Sequence, residues 1–323
     1  MATLPFNMAL VQFLAEHRNI FLTKFFLAAS SLGDIEGYIA ITTLMYVMWD
    51  KKLAIRLSIL VLLTASLNYL LKIIIKNPRP FMREGTYVKE WAVSAKNAAE
   101  LATEYSTPSG HAMAASSFYS YLYVLTRNRY VRVIAIALPI LIGLSRPYLG
   151  VHYMEDVLLG WAIGFSVALI PIKYADRMST AWNNLSHMQQ IGIAVAASSV
   201  FCLLGIVING WRIGGQPRAF LGYAGFLTGI VIARPLELGT VNFAPKSSTV
   251  AAKILRYVLT VAMVIFALLI LDSAFAMIAD KFSLLGYLLQ YVRYTAAGIV
   301  CIFLAPLLFT KLRLAEIKPI AKN

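Results

Sequence analysis

Residues 53–75 read LAIRLSILVLLTASLNYLLKIII and run directly into Lys76-Asn-Pro-Arg-Pro80. As a helix rising about 1.5 Å per residue, this stretch is long enough to cross the roughly 30 Å hydrocarbon core of a bilayer. Its charges, Arg56 and Lys72, stand toward the two ends, where long cationic side chains reach the headgroup level. Working outward from it, comparable apolar runs appear at 35–49, 109–126, 131–146, 152–172, 188–208, 218–236, 253–275 and 288–310, making about nine predicted spans. The predicted fold class is all-α: a polytopic integral membrane helical bundle.

Composition agrees. Of 323 residues, 59% are apolar and 14% charged, and the mean hydropathy is +0.71. A soluble globular chain carries roughly 25% charged residues and needs them to cover its surface. That class is excluded, as is disorder. Cys202 and Cys301 lie inside apolar runs, so neither a disulfide framework nor a cysteine metal site is expected.

The formal charge of +14 is read as topology rather than as a nucleic-acid surface, because Lys and Arg gather in short cytoplasmic loops. Lys51, Lys52 and Arg56 separate the first and second spans. Arg127, Arg129 and Arg132 separate the third and fourth, and Lys173 and Arg177 follow the fifth. Arg234, Lys246, Lys253 and Arg256 lie between the seventh and eighth, and Lys311, Arg313, Lys318 and Lys322 close the chain. These alternate loops define the cytoplasmic side. The stretch 5–31 mixes Phe, Leu and Ile with Glu16, His17, Arg18 and Lys24, lacks a cleavable signal pattern, and reads as an N-terminal interfacial helix. The outer insertion, roughly 77–107, places Val88, Trp91, Ala92, Ala95 and Ala99 on one face of a short surface helix.

Three outer segments put costly polar groups at membrane boundaries, where ionisable residues are rare and usually functional. They are Lys72-Ile-Ile-Ile-Lys-Asn-Pro-Arg79-Pro80, Thr107-Pro-Ser109-Gly110-His111, and Ser145-Arg146-Pro-Tyr-Leu-Gly-Val-His152-Tyr-Met-Glu-Asp156. Lys72, Arg79 and Arg146 supply fixed positive charge, and a guanidinium fork suits phosphate oxygens. Pro108-Ser109-Gly110 opens a helix, whose free N–H groups favour an anion. His152 and Asp156, spaced i, i+4, share a helix face. The carboxylate can orient the imidazole as a nucleophile, which leaves His111 for proton transfer. The set points to phosphoryl transfer through a phosphohistidine. No carboxylate cluster stands ready for a metal ion, and the cations beside the imidazoles would repel one. No cofactor is expected.

In order and spacing these segments are similar to the three-part signature of the type 2 phosphatidic acid phosphatase superfamily: Lys-x6-Arg-Pro, Pro-Ser-Gly-His and Ser-Arg-x5-His-x3-Asp. The resemblance covers residues 72–156. It implies a metal-independent phosphatase in which Lys72, Arg79 and Arg146 bind phosphate with Ser109 and Gly110 in support. His111 would be the general acid, His152 the nucleophile and Asp156 its partner. An outside N-terminus, about nine spans and four spans beyond the core resemble the branch of glucose-6-phosphatase and the sphingosine-1-phosphate phosphatases. Lys253-Ile-Leu-Arg256 and Tyr291-Val-Arg293-Tyr294 look similar to the latter.

The expected enzyme hydrolyses a phosphorylated lipid, either a lipid phosphate or a lipid pyrophosphate, on the non-cytoplasmic side. That side is the periplasm or outside of a plasma membrane in a bacterium and the lumen in a eukaryote. Its partners are membrane lipids, with no nucleic acid. A lipid phosphotransferase, a non-catalytic phospholipid transporter and a vanadate haloperoxidase are the alternatives. With no Pro/Gly/Ser linker, 1–323 reads as one membrane domain: an interfacial segment 1–34, a catalytic core 35–172 and accessory helices 173–323. Blander readings attach to single residues. Lys72 can merely snorkel, Arg79 and Arg146 can pair with Glu84 or Glu155, and Ser109 can serve only as an N-cap. Lys76 and Arg83 read as interface charges, and Tyr148, Tyr153 and Trp91 as belt aromatics. His17 and His187 carry no functional reading.

Overall fold

A computed structural model describes residues 4–82, 101–102, 104–208, 217–246 and 248–317. The expected surface helix around Trp91, together with Arg83 and Glu84, lies outside them. The described chain is helical: α1 Ala9–Glu16, α2 Ile20–Ser31, α3 Ile35–Met48, α4 Lys51–Ile75, α5 Gly110–Leu125, α6 Arg129–Tyr148, α7 Met154–Asn183, α8 His187–Ile208, α9 Pro217–Leu236, α10 Val250–Ala276, α11 Leu284–Ile299 and α12 Ala305–Lys311. Short π turns, Glu237–Val241 and Val300–Leu304, extend α9 and join α11 to α12.

Among the described residues, seven helical segments are long and apolar enough to cross a membrane: Lys51–Met82, Arg129–Tyr148, Met154–Asn183, His187–Ile208, Phe220–Val241, Val250–Ala276 and Leu284–Lys311. The other two expected spans are helices of 14 and 16 residues, α3 and α5. At about 1.5 Å per residue each falls short of the roughly 30 Å hydrocarbon thickness. The N-terminal stretch, expected as a single helix, forms two, α1 and α2. Asn19 accepts a hydrogen bond from the Leu22 N–H at 2.9 Å and starts α2 afresh, an N-cap that ends any continuous helix through 17–19.

The chain forms two compact units. The first comprises residues 1–38 and 63–178. Within it α5 and α7 approach through Gly160-x-x-x-Gly164. A Cβ at Gly160 would stand 2.8 Å from the Ser109 carbonyl oxygen, and one at Gly164 2.2 Å from that of Met113. Small residues spaced this way let helix backbones meet where apolar burial offers little drive between helices. The unit's core is aromatic. Phe26 packs on Tyr148 with centroids 4.4 Å apart, Phe6 on Tyr153 at 5.6 Å, and Tyr38 on Phe118 at 5.1 Å. Tyr148 and Tyr153 are therefore buried core residues and not belt aromatics, because α1, α2 and the N-terminal strand of chain cover them. Trp91 falls outside the described residues.

The second unit comprises residues 39–62 and 179–323. Here α9 and α11 meet through Gly225, Gly229 and Gly298, where a Cβ at Gly229 would come within 2.3 Å of the Thr295 carbonyl oxygen. Lys51 and Arg256, counted above among loop cations, are buried instead. Lys51 Nζ sits 2.7 Å from the wholly buried Glu237 carboxylate. Arg256 donates to the carbonyls of Ala244 and Pro245, and Arg293 is ion-paired with Asp272. Tyr291 and Thr228 share a hydroxyl hydrogen bond of 2.6 Å. The late segments 253–256 and 291–294 thus have packing and pairing roles here.

Candidate active site

The site is built at the ends of four helices of the first unit. Lys72 stands on the last turn of α4. Lys76 then takes a left-handed backbone, φ 55°, which ends the helix and turns Asn77-Pro-Arg79 inward. Asn77 holds this loop to the second motif: its Nδ2–H donates to Thr107 Oγ1 at 2.9 Å, and its carbonyl accepts from the Ser106 N–H at 2.8 Å. Ser109 caps α5, and its own N–H donates to the Asp156 carbonyl at 3.0 Å. That amide is therefore already engaged, and only the amides that follow are left to meet an anion. Gly110 admits the Asn68 side chain, whose Oδ1 would be 2.9 Å from any Cβ. Arg146 lies at the end of α6. The connection to α7 turns through Gly150, φ 75°, a left-handed conformation that suits glycine, and presents His152.

His152 is 1% exposed. Its Nδ1 lies 3.3 Å from Asp156 Oδ2 and 3.2 Å from Ser106 Oγ, while Nε2 lies 3.1 Å from Arg79 Nη1. Asp156, also buried, accepts from the hydroxyls of Ser106 and Thr107 and from the Tyr153 N–H at 2.9 Å. So the carboxylate behind the imidazole is itself fixed from three directions. Arg79 is buried, with Nε–H donating to the Glu104 carbonyl and Nη1–H to the Val151 carbonyl, each at 3.1 Å. Glu104 Oε2 reaches Lys72 Nζ at 2.7 Å and Arg79 Nη2 at 3.4 Å. Arg146 donates to the Ser30 hydroxyl, and its Nε–H, buried, has no hydrogen-bond partner among the described residues. His111 Nε2 lies 2.7 Å from Asp34 Oδ1.

The structure thus brings Lys72, Arg79, Ser109, Gly110, His111, Arg146, His152 and Asp156 to one place. It supplies a partner for Arg79 that sequence reading did not weigh, Glu104, while Glu155 accepts from the Asn7 N–H and Glu84 lies outside the described residues. The charge of Lys72, reinforced by Arg79 and opposed by partial burial, pulls the Glu104 carboxyl down to about 2. Burial raises the Asp34 carboxyl, but the hydrogen bond and charge of His111 and the charge of Arg146 outweigh it, and the net position is below the ordinary carboxylate range. Ser30, Asp34, Asn68, Glu104 and Ser106 were missed, and Asn77 and Thr107 stood within the motif segments without an assigned role. Glu104-x-Ser106-Thr107 abuts the second motif, which was a usable signal. Asp34, 77 residues from His111 in sequence, offered only its position at the outer boundary of a span. Among the described residues no group of three or more His, Cys, Asp or Glu is placed as a ligand set for a metal ion.

Comparison with known proteins bears on this arrangement directly. Residues 53–178, which hold all three motifs, match the PAP2 superfamily model. Residues 221–317 match the PAP2 superfamily phosphatase transmembrane extension. The chain belongs to the PAP2 superfamily. By that membership it is counted among the superfamily's phosphatases and is an integral membrane protein. It is 27% identical over 186 residues to an undecaprenyl-diphosphatase of Sulfolobus acidocaldarius, covering 54% of this chain and 85% of that protein. It is 28% identical over 199 residues to sphingosine-1-phosphate phosphatase 2 of Mus musculus, covering 59% of this chain and 49% of that one. It is 38% identical over 71 residues to phosphatidylglycerophosphatase B of Bacillus subtilis, covering 19% and 35%. The chain thus spans half or less of the length of the last two relatives. Ser30 and Asp34 precede the matched PAP2 domain.

Proposed function

We propose that this PAP2 protein hydrolyses a lipid phosphate or lipid pyrophosphate through a phosphohistidine on His152, without a metal ion, on the non-cytoplasmic face of the membrane. The observation that carries the reading is the setting of His152. One ring nitrogen is held by Asp156 and Ser106, and the other is directed at a buried arginine. A proton on Nδ1 held by the carboxylate leaves the lone pair on Nε2, where it accepts from Arg79 Nη1–H at 3.1 Å until phosphate draws the guanidinium to its own oxygens and the nitrogen can attack.

The steps balance as follows. Nε2 attacks phosphorus and forms an N–P bond as the P–O bond to the leaving oxygen breaks. His111 gives that oxygen its proton. Water, deprotonated by His111, then attacks phosphorus and breaks the N–P bond, releasing phosphate and restoring His152. Lys72, Arg79 and Arg146, with the unspent Nε–H of the last, hold the equatorial oxygens as charge shifts toward them. Positioning and electrostatic stabilisation supply most of the rate in such a reaction. Asp34 keeps His111 in place.

The relatives' names share a phosphoryl group on a long-chain lipid, which supports a lipid substrate here. The charge pattern of the loops supports the outer placement of the site. We further take 35–172 as the catalytic core and α3 and α5 as short spans completing about nine, with the exposed Phe13, Ile20, Phe21 and Phe25 of α1 and α2 seated in the interface. Purified protein should release phosphate from phosphatidic acid, sphingosine phosphate or undecaprenyl pyrophosphate in EDTA. His152→Ala should abolish the release. Metal-dependent turnover, or full activity of H152A, would refute the reading.

A further inference from the structure

Among the described residues the site holds three cations, Lys72, Arg79 and Arg146, and three carboxylates, Glu104, Asp34 and Asp156, so with neutral imidazoles its charges cancel. A site that must take up a phosphate monoester, which carries about −1.5 to −2 charges at neutral pH, gains little from that balance. The three carboxylates are not equivalent. Asp156 is fully buried behind His152 and fixed by two hydroxyls and an N–H. Asp34 is on the His111 side. Only Glu104 places its carboxylate on two of the phosphate-binding cations, and among the described residues its side chain is 47% exposed.

We propose that Glu104 is an internal anion that occupies the phosphate position on Lys72 and Arg79 and must be displaced by substrate, which sets the site's preference for phosphate monoesters over phosphodiesters. This rests on the phosphatase reading above. A bilayer presents the site with phosphodiester headgroups in vast excess, each carrying one negative charge. Exchanging Glu104 for such a group trades one charge for one and yields no electrostatic gain. A monoester or a pyrophosphate brings additional charge, and displacement then turns a neutral site into one with a single net positive charge facing a multiply charged ligand. Occupancy by the glutamate lowers the apparent affinity for every anion by the fraction of open site. The weakly charged anions are the ones that fall below useful binding.

The test uses the full chain in detergent micelles. With phosphatidic acid as substrate, Glu104→Gln is expected to lower the inhibitory concentration of inorganic phosphate roughly tenfold and to lower KM, with no rise in kcat. Micelles enriched in phosphatidylglycerol, a phosphodiester monoanion, should inhibit E104Q and leave the wild type little affected. E104A, which keeps no polar group on the cations, should show the same direction. Weaker or unchanged phosphate binding in both variants, or indifference of both to phosphatidylglycerol, would overturn the proposal. Phosphate binding measured by calorimetry on His152→Ala, with and without E104Q, separates the two readings. Tighter phosphate binding in H152A/E104Q than in H152A, with a wild type that hydrolyses none of the phosphorylated lipids, sinks the hydrolase reading alone. Normal hydrolysis in a wild type whose E104Q form binds phosphate more weakly sinks this one alone.

Discussion

Replacing Asp156 with Asn alters one atom of a buried carboxylate and tests the assignment of His152 as nucleophile. Asp156 accepts from Ser106, Thr107 and the Tyr153 N–H while facing His152 Nδ1. Asn can keep its oxygen toward Ser106 and Tyr153, and its NH2 then faces Thr107. The Thr107 oxygen already accepts from Asn77 and can take a second donor, but the Thr107 proton loses its acceptor. One charge-assisted hydrogen bond disappears, at about 1.5–3 kcal/mol. The negative charge that favours a proton on Nδ1 and steadies the ring as positive charge develops also disappears. Together these amount to roughly 2–4 kcal/mol of barrier, or about 30- to 1000-fold in rate at 1.36 kcal/mol per factor of ten. KM should change by less than about threefold, because the loss falls on the reacting nitrogen and not on uniform binding. Rapid-quench measurement with 32P-labelled phosphatidic acid, trapping acid-labile phosphoenzyme, separates formation of the intermediate from its hydrolysis. Formation should slow by the full factor. A D156N protein that forms the intermediate within about threefold of the wild-type rate would refute the pairing, since the least expected loss, about 2 kcal/mol, is about thirtyfold.

Three further outcomes follow from particular contacts. Asp34→Asn removes the carboxylate 2.7 Å from His111, and the alkaline limb of the kcat profile should move to lower pH; a lowered kcat with an unmoved profile would make Asp34 merely structural. Glu104, held at about 2 against about 4.3 in an unfolded chain, contributes stability above the unfolded value that is lost as pH falls through the folded one. The difference in Tm between wild type and E104Q should therefore be constant from neutrality to about pH 4.5 and close below it. Glu237→Ala removes the buried carboxylate 2.7 Å from Lys51 and should cost roughly 3–5 kcal/mol in detergent unfolding, most of it recovered in the double variant with Lys51→Met.

The helices and the three motifs were legible because each rests on a local signal: a long apolar run, or charged and small residues at fixed spacing. What escaped was everything set by tertiary partners. Lys51 and Arg256 look like loop cations in sequence, and only the second unit's folding shows one against Glu237 and the other on the carbonyls of Ala244 and Pro245. Tyr148 and Tyr153 carry the composition of a belt, but rings from Phe26 and Phe6 cover them. The break between α1 and α2 was readable, since Asn19 before an apolar run is an N-cap signature. Gly160-x-x-x-Gly164 and Gly225-x-x-x-Gly229 were readable as close helix contacts for the same reason.

The site's accuracy comes from backbone stitching more than from the side chains that do the chemistry. Ser109 caps α5 and simultaneously gives its N–H to the carbonyl of Asp156, so the start of one helix is tied to the start of α7. Gly160 sits one turn further along α7 with no room for a Cβ beneath the Ser109 carbonyl, which sets how closely the two helices approach. Asn77 ties the Arg79 loop to Ser106 and Thr107, and those two residues hold Asp156. The chain of contacts therefore closes on itself: first motif to the 106–107 turn, that turn to the Asp156 carboxylate, and the Asp156 carbonyl back to the second motif. A nucleophile that must meet phosphorus within a few tenths of an ångström needs such closure. Two acidic groups stand outside that ring, Asp34 on His111 and Glu104 on Lys72 and Arg79, and of these only Glu104 lies on the cations proposed to receive phosphate.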